Sequence, residues 1–265
     1  MLIAQVSDLH VCAPGRRLDG RVDTHGMAQA FVQALLKRRP LPQALVLSGD
    51  LVDAGRPEEY RHLLDALAPL ALPLYPVAGN HDERQALRAA FGERFGPHQH
   101  AMDSHLQYAV DLGELRLLVL DTVVPGAPHG ELCAARLAWL ADRLGEDPRP
   151  SAIVMHHPPF ATGIGHMDAM GLLAGAVELE ALVRRHPQVQ GIWCGHLHRT
   201  IVTGFGGAPA ATSPSCAHQI ALTLQGHGAD GYTMEPPGFM LHTWHGGRLV
   251  SHVVPIGDFG GTHPF

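Results

Sequence analysis

Short apolar runs alternate with amphipathic stretches over the first 95 residues, and this order limits the folds that the chain can adopt. The runs are mostly apolar on both faces, as in the buried strands of parallel sheets, and the stretches between them have helical spacing. The predicted strands are residues 2–7, 44–48 and 72–79, and the predicted helices are residues 22–39, 56–70 and 82–95. The resulting β-α-β-α-β-α order predicts an α/β protein.

The remainder of the chain contains further predicted strands and helices, and after residue 199 the predicted elements are strands only. Before that point we predict strands at 106–112, 115–121, 151–155 and 189–194, with helices at 134–144 and 177–186. Beyond it, strand-like runs broken by Gly and Pro lie at 200–205, 208–213, 218–224, 239–244 and 249–256. The predicted fold is two packed mixed β-sheets flanked by helices, formed by one domain of residues 1–265. Residues 199–265 are its β-rich C-terminal part, for which a capping or dimerisation role is an open alternative.

Composition excludes several classes of protein. With 265 residues, 46% of them hydrophobic, the chain is long enough to bury one large core. Its net charge of −6 argues against a long nucleic-acid footprint, which needs clustered Lys and Arg. No apolar run approaches the roughly 20 residues of a membrane-spanning helix, so we expect no membrane partner. The four cysteines form no C-x-x-C pair and no secretory leader is visible, which predicts a cytoplasmic protein.

A residue able to bind metal follows each of five predicted strands. These residues are Asp8 and His10, Asp50, Asn80 and His81, His156 and His157, and His196 and His198. Because ligands of open α/β sheets gather outside the carboxyl ends of the strands, we expect these side chains to share one crevice. Any one of them alone has an ordinary explanation as a turn, a cap or a packed histidine. Five such strand ends in one chain favour a metal site.

The donor set selects a class of metal. Two Asp, one Asn and several neutral His provide mixed oxygen and nitrogen ligands, which suit Zn²⁺, Mn²⁺ or Fe²⁺ better than Ca²⁺. The chain contains 20 His residues against 19 Lys and Arg combined, and imidazole is the commonest protein metal ligand. We therefore predict divalent Fe, Mn or Zn ions as cofactors, with the choice among the three left open.

Five short motifs occur in order along the chain: SDLH, SGDLVDAG, AGNHDE, MHHPP and CGHLH. As a set they resemble the calcineurin-like metallophosphoesterase superfamily, and the resemblance spans residues 5–198. The longer stretches SGDLVDAGRPEEY, PLYPVAGNHDE and HHPPF with GHMD are similar to the bacterial class III phosphodiesterases. That group contains cyclic-nucleotide phosphodiesterases and glycerophosphodiester phosphodiesterases.

This resemblance implies a dinuclear metal centre at the edge of a β-sandwich. Asp8, His10 and His198 would hold one ion, Asn80, His156 and His196 the other, and the carboxylate of Asp50 would bridge them. His81 would lie beside the ions and touch the substrate phosphate or the leaving oxygen. The superfamily offers less guidance on His157, which we interpret as a supporting or structural residue.

The expected reaction is hydrolysis of a small phosphodiester. Two divalent ions, two Asp carboxylates and a bridging hydroxide leave a net charge of about +1, which attracts the monoanionic diester. The hydroxide attacks phosphorus, and His81 donates a proton or a hydrogen bond to the leaving alkoxide. Asp50 and His81 are therefore the predicted catalytic residues. A 3′,5′-cyclic nucleotide and a glycerophosphodiester remain alternative substrates.

Two other functions fit parts of the same pattern. A phosphomonoesterase or protein phosphatase of the superfamily is one, but protein phosphatases are expected to carry Arg after Asp53, where this chain has Ala54. A non-catalytic metal-binding scaffold is the other, but such scaffolds usually lose ligands, whereas all seven are present here.

Three loops, at 160–171, 213–219 and 226–238, are rich in Gly, Pro or His. They could lie over the metal edge, by which we mean the edge of the protein that carries the candidate ligands at the strand ends. Their composition is equally typical of ordinary surface turns. Besides His81, their candidate substrate-contacting residues are His166, Met167, Met170, His218 and His227. The Gly- and Pro-rich stretch 222–238 and the tail 256–265 are poor candidates for independent folding, and related phosphodiesterases often pair through such segments. We expect a homodimer or a multiple of dimers.

Overall fold

The structure of the protein is a computed structural model that describes residues 1–92, 95–224, 227–261 and 263–264. The helices are α1 (Thr24–Leu36), α2 (Pro57–Leu67), α3 (Arg84–Phe91), α4 (Ala134–Glu146), α5 (Gly165–Asp168) and α6 (Ala176–Arg185). The first strands are β1 (Leu2–Val6), β2 (Ala44–Ser48), β3 (Leu74–Val77), β4 (Tyr108–Asp111), β5 (Arg116–Val119), β6 (Gly130–Glu131) and β7 (Ser151–Val154). The later strands are β8 (Leu172–Ala174), β9 (Val189–Cys194), β10 (Val202–Phe205), β11 (Ala208–Thr212), β12 (Gln219–Ile220), β13 (Tyr232–Thr233), β14 (Gly238–His245) and β15 (Arg248–Pro255).

The strands form two large sheets, each with parallel and antiparallel neighbours. The first has the order β15-β14-β1-β2-β3, in which β1, β2 and β3 are parallel. The second has the order β10-β11-β9-β7-β5-β4, and its centre from β11 to β5 is parallel. Two-stranded ladders join β6 with β8 and β12 with β13. The predicted pair of mixed sheets flanked by helices is confirmed.

The second sheet is apolar on both faces. Along β5 and just after it, Leu117 and Val119 belong to the core cluster shared with the first sheet, whereas Leu118 and Leu120 pack with α4 and α6. This division follows from the two-residue period of a strand, which sends alternate side chains to opposite faces. The sheet is therefore covered by the other sheet on one side and by helices on the other.

Buried polar contacts also join the two sheets. The amide of Gln5, on β1, donates to the carbonyl oxygen of Cys194, on β9, at 3.0 Å. Within the first sheet, Nε2 of His242 contacts Oε1 of Gln5 at 2.9 Å and so orients that amide. The rings of Trp193 and His242 stack with their centroids 3.7 Å apart. Gln5 and Cys194 each lie within three residues of a polar strand end, so these contacts fix the two sheets at the edge that carries the candidate ligands.

Helices α2 and α3 begin after polar strand ends, and both starts are capped. Pro57 occupies the first turn of α2, and the Glu59 carboxylate accepts hydrogen bonds from the backbone of Ala54 and Arg56. The Glu83 carboxylate accepts from two backbone N–H groups in the first turn of α3, at 2.8 and 3.1 Å. These caps fix the loops that connect β2 with α2 and β3 with α3.

Most of the predicted elements are present, with differences at their ends. Helix α1 is shorter than the predicted 22–39, and α3 ends at Phe91, while residues 93–94 of that prediction lie outside the described residues. The predicted strand 218–224 is reduced to β12, because only Gln219 and Ile220 pair with β13. The elements β6, α5, β8 and β13 are missed by the sequence analysis, since elements of two to four residues carry no periodic signal.

The β-rich part after residue 199 contributes strands to both large sheets. Strands β10 and β11 extend the second sheet, and β14 and β15 extend the first. Within the ranges that the structure describes, no helix is both long enough and apolar enough to cross a bilayer. The interpretation of the chain as one domain stays a prediction.

Candidate metal centre

Strand ends from both sheets meet at one edge of the protein. Where β1 and β2 end, the backbone N–H of His10 donates to the carbonyl oxygen of Asp50 at 3.0 Å. Between the sheets, the backbone N–H of His196, after β9, donates to the carboxylate of Asp8, after β1, at 3.1 Å to each oxygen. The convergence of strand ends predicted from the sequence is therefore present.

The backbone turns sharply at these strand ends. Asp8, His10, Asp50, His196 and His198 have φ values between 45° and 70°. They are five of the seven non-glycine residues with positive φ in the described part of the chain. Such a conformation costs a non-glycine residue about 1–2 kcal/mol, and it concentrates where a fold aims side chains at a functional site. Its occurrence at five candidate ligands indicates that these positions are shaped for a site.

The first predicted ligand group brings three buried side chains together around His198. Its Nε2 lies 3.2 Å from Nε2 of His10 and 3.4 Å from Oδ1 of Asp8. Nδ1 of His198 contacts the carbonyl oxygen of His218 at 3.0 Å, and because only a protonated nitrogen can donate to a carbonyl, Nδ1 carries the proton. The lone pair of His198 is therefore on Nε2, which faces the group.

The second predicted ligand group surrounds His156. Its Nε2 lies 3.2 Å from Oδ1 of Asn80, and its ring centroid lies 5.2 Å from that of His196. Nδ1 of His156 donates to the carbonyl oxygen of Ser48 at 2.9 Å, which again leaves the lone pair on Nε2. Nε2 of His196 is buried and has no hydrogen-bond partner among the described residues.

The carboxylate of Asp50 lies between the two groups. Its Oδ2 is 3.6 Å from Nε2 of His10 and 3.4 Å from Nε2 of His156. Its Oδ1 accepts a hydrogen bond from the backbone N–H of His81 at 2.9 Å, which fixes the rotation of the carboxylate. One carboxylate oxygen thus faces both groups, as the predicted bridging role requires.

This donor set fits divalent cations. Nε2 of His10 and Nε2 of His198 face each other at 3.2 Å, an arrangement that a cation near both lone pairs would stabilise. Burial raises the pKa of Asp8 to about 6. Burial also lowers the pKa of His196 to about 3, so this imidazole stays neutral and able to ligate. A bound cation would favour the charged form of Asp8 and would partner the buried nitrogens.

His157 is close to the second group, but its ring nitrogens have other partners. Nδ1 lies 2.7 Å from Oγ1 of Thr122, and Nε2 lies 3.1 Å from the carbonyl oxygen of Pro128. Burial holds the pKa of His157 well below its ordinary value, so the ring is neutral. Both nitrogens are therefore used within the protein, which agrees with the interpretation of His157 as a structural residue.

Two glycines allow the ligand loops to approach each other. A Cβ atom on Gly79 would lie 2.2 Å from Oδ1 of Asp50, and one on Gly49 would lie 2.2 Å from Nδ1 of His156. Gly49 also has a φ of 95°, which side chains rarely adopt. Any larger residue at either position would displace a candidate ligand.

His81 borders the site instead of joining either ligand group. Its Nδ1 lies 2.6 Å from the carbonyl oxygen of Asp53, to which it donates, and its side chain is 40% exposed. Its ring centroid lies 4.6 Å from that of His10, and the bond at Nδ1 leaves Nε2 free for a substrate. Asp53 is a site residue that the sequence analysis missed. Its place three residues after Asp50 in SGDLVD is the signal that could have identified it.

A cavity of about 260 Å³ opens over the two ligand groups. Its lining includes the candidate ligands His10, Asp50, Asn80, His196 and His198, together with Asp53 and His81. The other lining residues are Leu18, Asp19, Pro128, Met167, Met170, His218, Ile220 and Tyr232. No sequence motif marks Leu18, Asp19, Pro128, Ile220 or Tyr232 as site residues, because only folding brings their distant loops to the metal edge.

Three of the predicted substrate-contacting residues, Met167, Met170 and His218, line this cavity. The ring centroid of His218 lies 4.5 Å from that of His198, and burial lowers the pKa of His218 to about 3. His218 is therefore a neutral imidazole next to the first ligand group.

The other two candidates, His166 and His227, are not among the described residues that line this cavity. Nδ1 of His166 lies 2.8 Å from Oδ1 of Asp230, so this contact joins α5 to the loop before β13. His227 is exposed on that loop. The contact of either residue with a substrate stays a prediction.

A larger cavity of about 750 Å³ adjoins the metal edge. It shares Asp19 and Tyr232 with the smaller cavity. Its lining is otherwise mixed, with Arg17 and Arg21 together with the apolar side chain of Met27. A molecule bound over the ligand groups would have space to extend past the two shared residues.

Known proteins share this sequence pattern along the whole chain. The family model of calcineurin-like phosphoesterases matches residues 1–200 of the 265. The chain is 32% identical to a probable glycerophosphodiester phosphodiesterase, GpdQ, of Arcobacter nitrofigilis, over 100% of this chain and 97% of that protein. It is 28% identical to the 3′,5′-cyclic adenosine monophosphate phosphodiesterase CpdA of Escherichia coli K12, over 97% of this chain and 90% of that protein.

Solved structures agree on the fold. A dimetal phosphatase from Danio rerio superposes with a TM-score of 0.74 at 14% identity, and the match covers 97% of each chain. The family match covers most of the sequence, and the GpdQ relative aligns over 97% of its own length. The chain therefore belongs to the calcineurin-like phosphoesterase family.

Proposed function

We propose that this chain hydrolyses small phosphodiesters at a centre of two divalent metal ions. The proposal is based above all on the position of the Asp50 carboxylate. Its Oδ2 lies 3.6 Å from Nε2 of His10 and 3.4 Å from Nε2 of His156, which belong to different ligand groups. A carboxylate that faces two groups of buried donors is typical of the bridging ligand in a two-metal site.

The ligand assignment follows from the two groups. Asp8, His10 and His198 would hold one ion, Asn80, His156 and His196 would hold the other, and the carboxylate of Asp50 would serve both. Their mixture of carboxylate, amide and imidazole donors suits Fe, Mn or Zn. When bound, two such ions supply Lewis acidity and a water activated for attack on phosphorus.

His81 acts on the leaving oxygen. The Asp53 carbonyl oxygen holds Nδ1 of His81 at 2.6 Å, and because His81 lines the cavity, Nε2 is the ring nitrogen left for a substrate. In its imidazolium form His81 would carry a proton on both ring nitrogens, and the Nε2 proton would pass to the departing alkoxide, which is a poor leaving group without it. Asp53 thus positions His81, and Asp50 fixes the backbone N–H of the same residue at 2.9 Å.

The two cavities favour a small diester as substrate. The cavity of about 260 Å³ has room for a phosphate and a small ester group, and a longer substituent extends past Asp19 and Tyr232 into the cavity of about 750 Å³. The net charge of −6 gives no support to a long nucleic acid. A glycerophosphodiester and a cyclic nucleotide both have this size, and the GpdQ and CpdA relatives are named for these two substrates.

Other activities of the family have less support. Ala54 follows Asp53 where a protein phosphatase is expected to carry Arg, which argues against phosphoprotein substrates. A non-catalytic scaffold would have no use for a histidine such as His81, held by Asp53 beside a complete set of seven donors.

We further propose a cytoplasmic location and a homodimer or a multiple of dimers. The location is supported by the four cysteines, all of which are free thiols, as expected in a reducing compartment. Association is supported by Val250 and Val253, which are 44% and 50% exposed on β15, an edge strand of the first sheet.

The substrate class can be tested with five compounds at equal concentration. The metal-loaded protein would be assayed with bis(p-nitrophenyl) phosphate, p-nitrophenyl phosphate, cyclic AMP, glycerophosphoethanolamine and a DNA duplex. We expect bis(p-nitrophenyl) phosphate to be hydrolysed much faster than p-nitrophenyl phosphate. At least one of cyclic AMP and glycerophosphoethanolamine should be hydrolysed much faster than DNA. If the monoester is consumed about tenfold faster than every diester, the phosphodiesterase proposal gives way to a phosphatase.

A further inference from the structure

Tyr60 and Asp82 form a buried polar pair next to the metal edge. Oδ1 of Asp82 accepts a hydrogen bond from the Tyr60 hydroxyl at 3.0 Å. Oδ2 of Asp82 accepts from the backbone N–H of Leu51 at 3.2 Å and from that of Gly79 at 2.9 Å. Tyr60 is 0% exposed and Asp82 is 8% exposed. Three neutral donors thus hold a buried carboxylate that is not itself a candidate ligand.

Two of these donors adjoin candidate ligands. Leu51 directly follows Asp50, and Gly79 directly precedes Asn80. Oδ2 of Asp82 therefore ties the loop of the bridging carboxylate to the loop of the amide ligand. These loops leave neighbouring strands, β2 and β3, and this one oxygen atom contacts both of them.

The Tyr60 hydroxyl orients the Asp82 carboxylate. Tyr60 lies on α2 with its ring wholly buried, so packing fixes the position of the hydroxyl. The hydroxyl donates to Asp82 and accepts from the backbone N–H of Glu83 at 3.0 Å. Removal of this oxygen leaves Oδ1 of Asp82 and the N–H of Glu83 each without one partner.

The two ligand loops have no room to shift independently. A Cβ atom on Gly79 would lie 2.2 Å from Oδ1 of Asp50, so the backbone of one loop is packed against the ligand of the other. Nε2 of His156 lies 3.2 Å from Oδ1 of Asn80 and 3.4 Å from Oδ2 of Asp50. A change in loop spacing alters both contacts, and metal–ligand distances in well-formed sites stay within about 0.2 Å of their ideal values.

We propose that Tyr60 and Asp82 are positioning residues that set the spacing of Asp50 and Asn80 and thereby the affinity for the second metal ion. This inference rests on the proposed two-metal function. Hydrogen-bond partners behind metal ligands typically change metal affinity or activity about 10–100-fold. Tyr60→Phe therefore weakens the retention of one of the two ions by about 10–100-fold, and it lowers kcat for a small diester more than it changes KM.

The test compares Tyr60→Phe with Tyr108→Phe, a matched control. Tyr108 is 1% exposed, and its hydroxyl donates to the carbonyl oxygen of Pro76 at 2.7 Å. Both variants lose a buried phenol hydroxyl, with two hydrogen bonds lost in Tyr60→Phe and one in Tyr108→Phe, so both should lower the melting temperature. Metal-loaded protein is dialysed against graded EDTA, and the Mn²⁺ content, the melting temperature and the kinetics with bis(p-nitrophenyl) phosphate are measured.

We expect Tyr60→Phe to release one Mn²⁺ at a chelator concentration about 10–100-fold lower than the wild type requires. Tyr108→Phe should retain metal as the wild type does, although its melting temperature should also fall. Equal metal retention in the two variants would overturn the positioning role and leave the two-metal function standing. A wild type that retains no Mn²⁺ and hydrolyses no diester would overturn the proposed function, and the positioning role with it.

Asp82→Asn is a second test, because it keeps the size of the side chain. If its NH₂ group faces the two backbone N–H groups, both of those bonds are lost, and if it faces the Tyr60 hydroxyl, the hydroxyl proton loses its acceptor at residue 82. Metal retention should fall in the same direction as in Tyr60→Phe. Retention equal to that of the wild type would contradict the role of the pair.

Discussion

Replacing His81 with Ala removes the group beside the leaving oxygen without removing a candidate ligand. The hydrogen bond from His81 to Asp50 comes from the backbone N–H, at 2.9 Å, so it survives the substitution. The bond that is lost joins Nδ1 to the Asp53 carbonyl oxygen, on a side chain that is 40% exposed. The free energy of unfolding should therefore fall by no more than about 1 kcal/mol.

Turnover should respond much more strongly than stability. Loss of a general acid lowers kcat by about 10²–10⁴-fold, which corresponds to about 3–5 kcal/mol in activation free energy. The loss should be larger for glycerophosphoethanolamine than for bis(p-nitrophenyl) phosphate, because an alkoxide needs a proton more than p-nitrophenolate does. The metal content of His81→Ala should stay close to that of the wild type.

The assay compares His81→Ala with Asp50→Ala and with His98→Ala. Asp50→Ala removes the bridging ligand and should lose metal, whereas His98→Ala is a control in which Nδ1 has a similar contact, 3.0 Å from the Gly96 carbonyl oxygen. Turnover with both substrates, metal content and melting temperature are measured for each variant. Equal metal loss in His81→Ala and Asp50→Ala, or wild-type turnover in His81→Ala, would refute the assignment.

Three further predictions concern stability and assembly. Asp121→Ala breaks a buried ion pair in which Nε of Arg84 lies 2.6 Å from the Asp121 carboxylate. Chemical denaturation should show that the free energy of unfolding falls by about 3–5 kcal/mol, and a fall below about 1 kcal/mol would contradict this. Burial lowers the pKa of His242 from 6.5 to about 3, so the unfolded chain binds the extra proton and stability present above pH 6.5 is lost as pH falls toward 3. Between these pH values the free energy of unfolding should fall by up to about 1.4 kcal/mol per pH unit because of His242. If His242→Gln shows the same dependence of unfolding free energy on pH as the wild type, this prediction is wrong. Sedimentation at tens of micromolar should show dimers or multiples of dimers, and monomer alone would contradict the assembly proposal.

The sequence predicted those parts of the fold that have a local signal. The strand preceding Asp8 and the one preceding Asp50 are nearly continuous apolar runs, and the same pattern marks the strand before His196. Because parallel strands end at a common edge, the position of their polar ends followed from the strand order alone. The family assignment from the ordered motifs is confirmed, while the division of ligands between two ions stays a prediction.

The features of the fold and the site that could not be predicted depend on contacts between segments that are distant in the sequence. Tyr232 reaches the cavity only because β13 pairs with β12, and no periodic pattern marks strands of two residues. The hydrogen bond between Tyr60 and Asp82 links α2 to the loop after β3, so this pairing could not be inferred from spacing. His166 shows the converse, since its loop was expected over the metal edge while its imidazole contacts Asp230.

The most direct test of the two-metal centre is elemental analysis of the purified protein, combined with a chelation assay. The seven donors predict up to two transition-metal ions per chain and loss of bis(p-nitrophenyl) phosphate hydrolysis after exhaustive chelation. Addition of Mn²⁺ to the chelated protein should restore the activity, whereas Asp50→Ala should not recover it because the bridge is absent. Trace metal in the pure protein together with full activity in chelator would contradict the account.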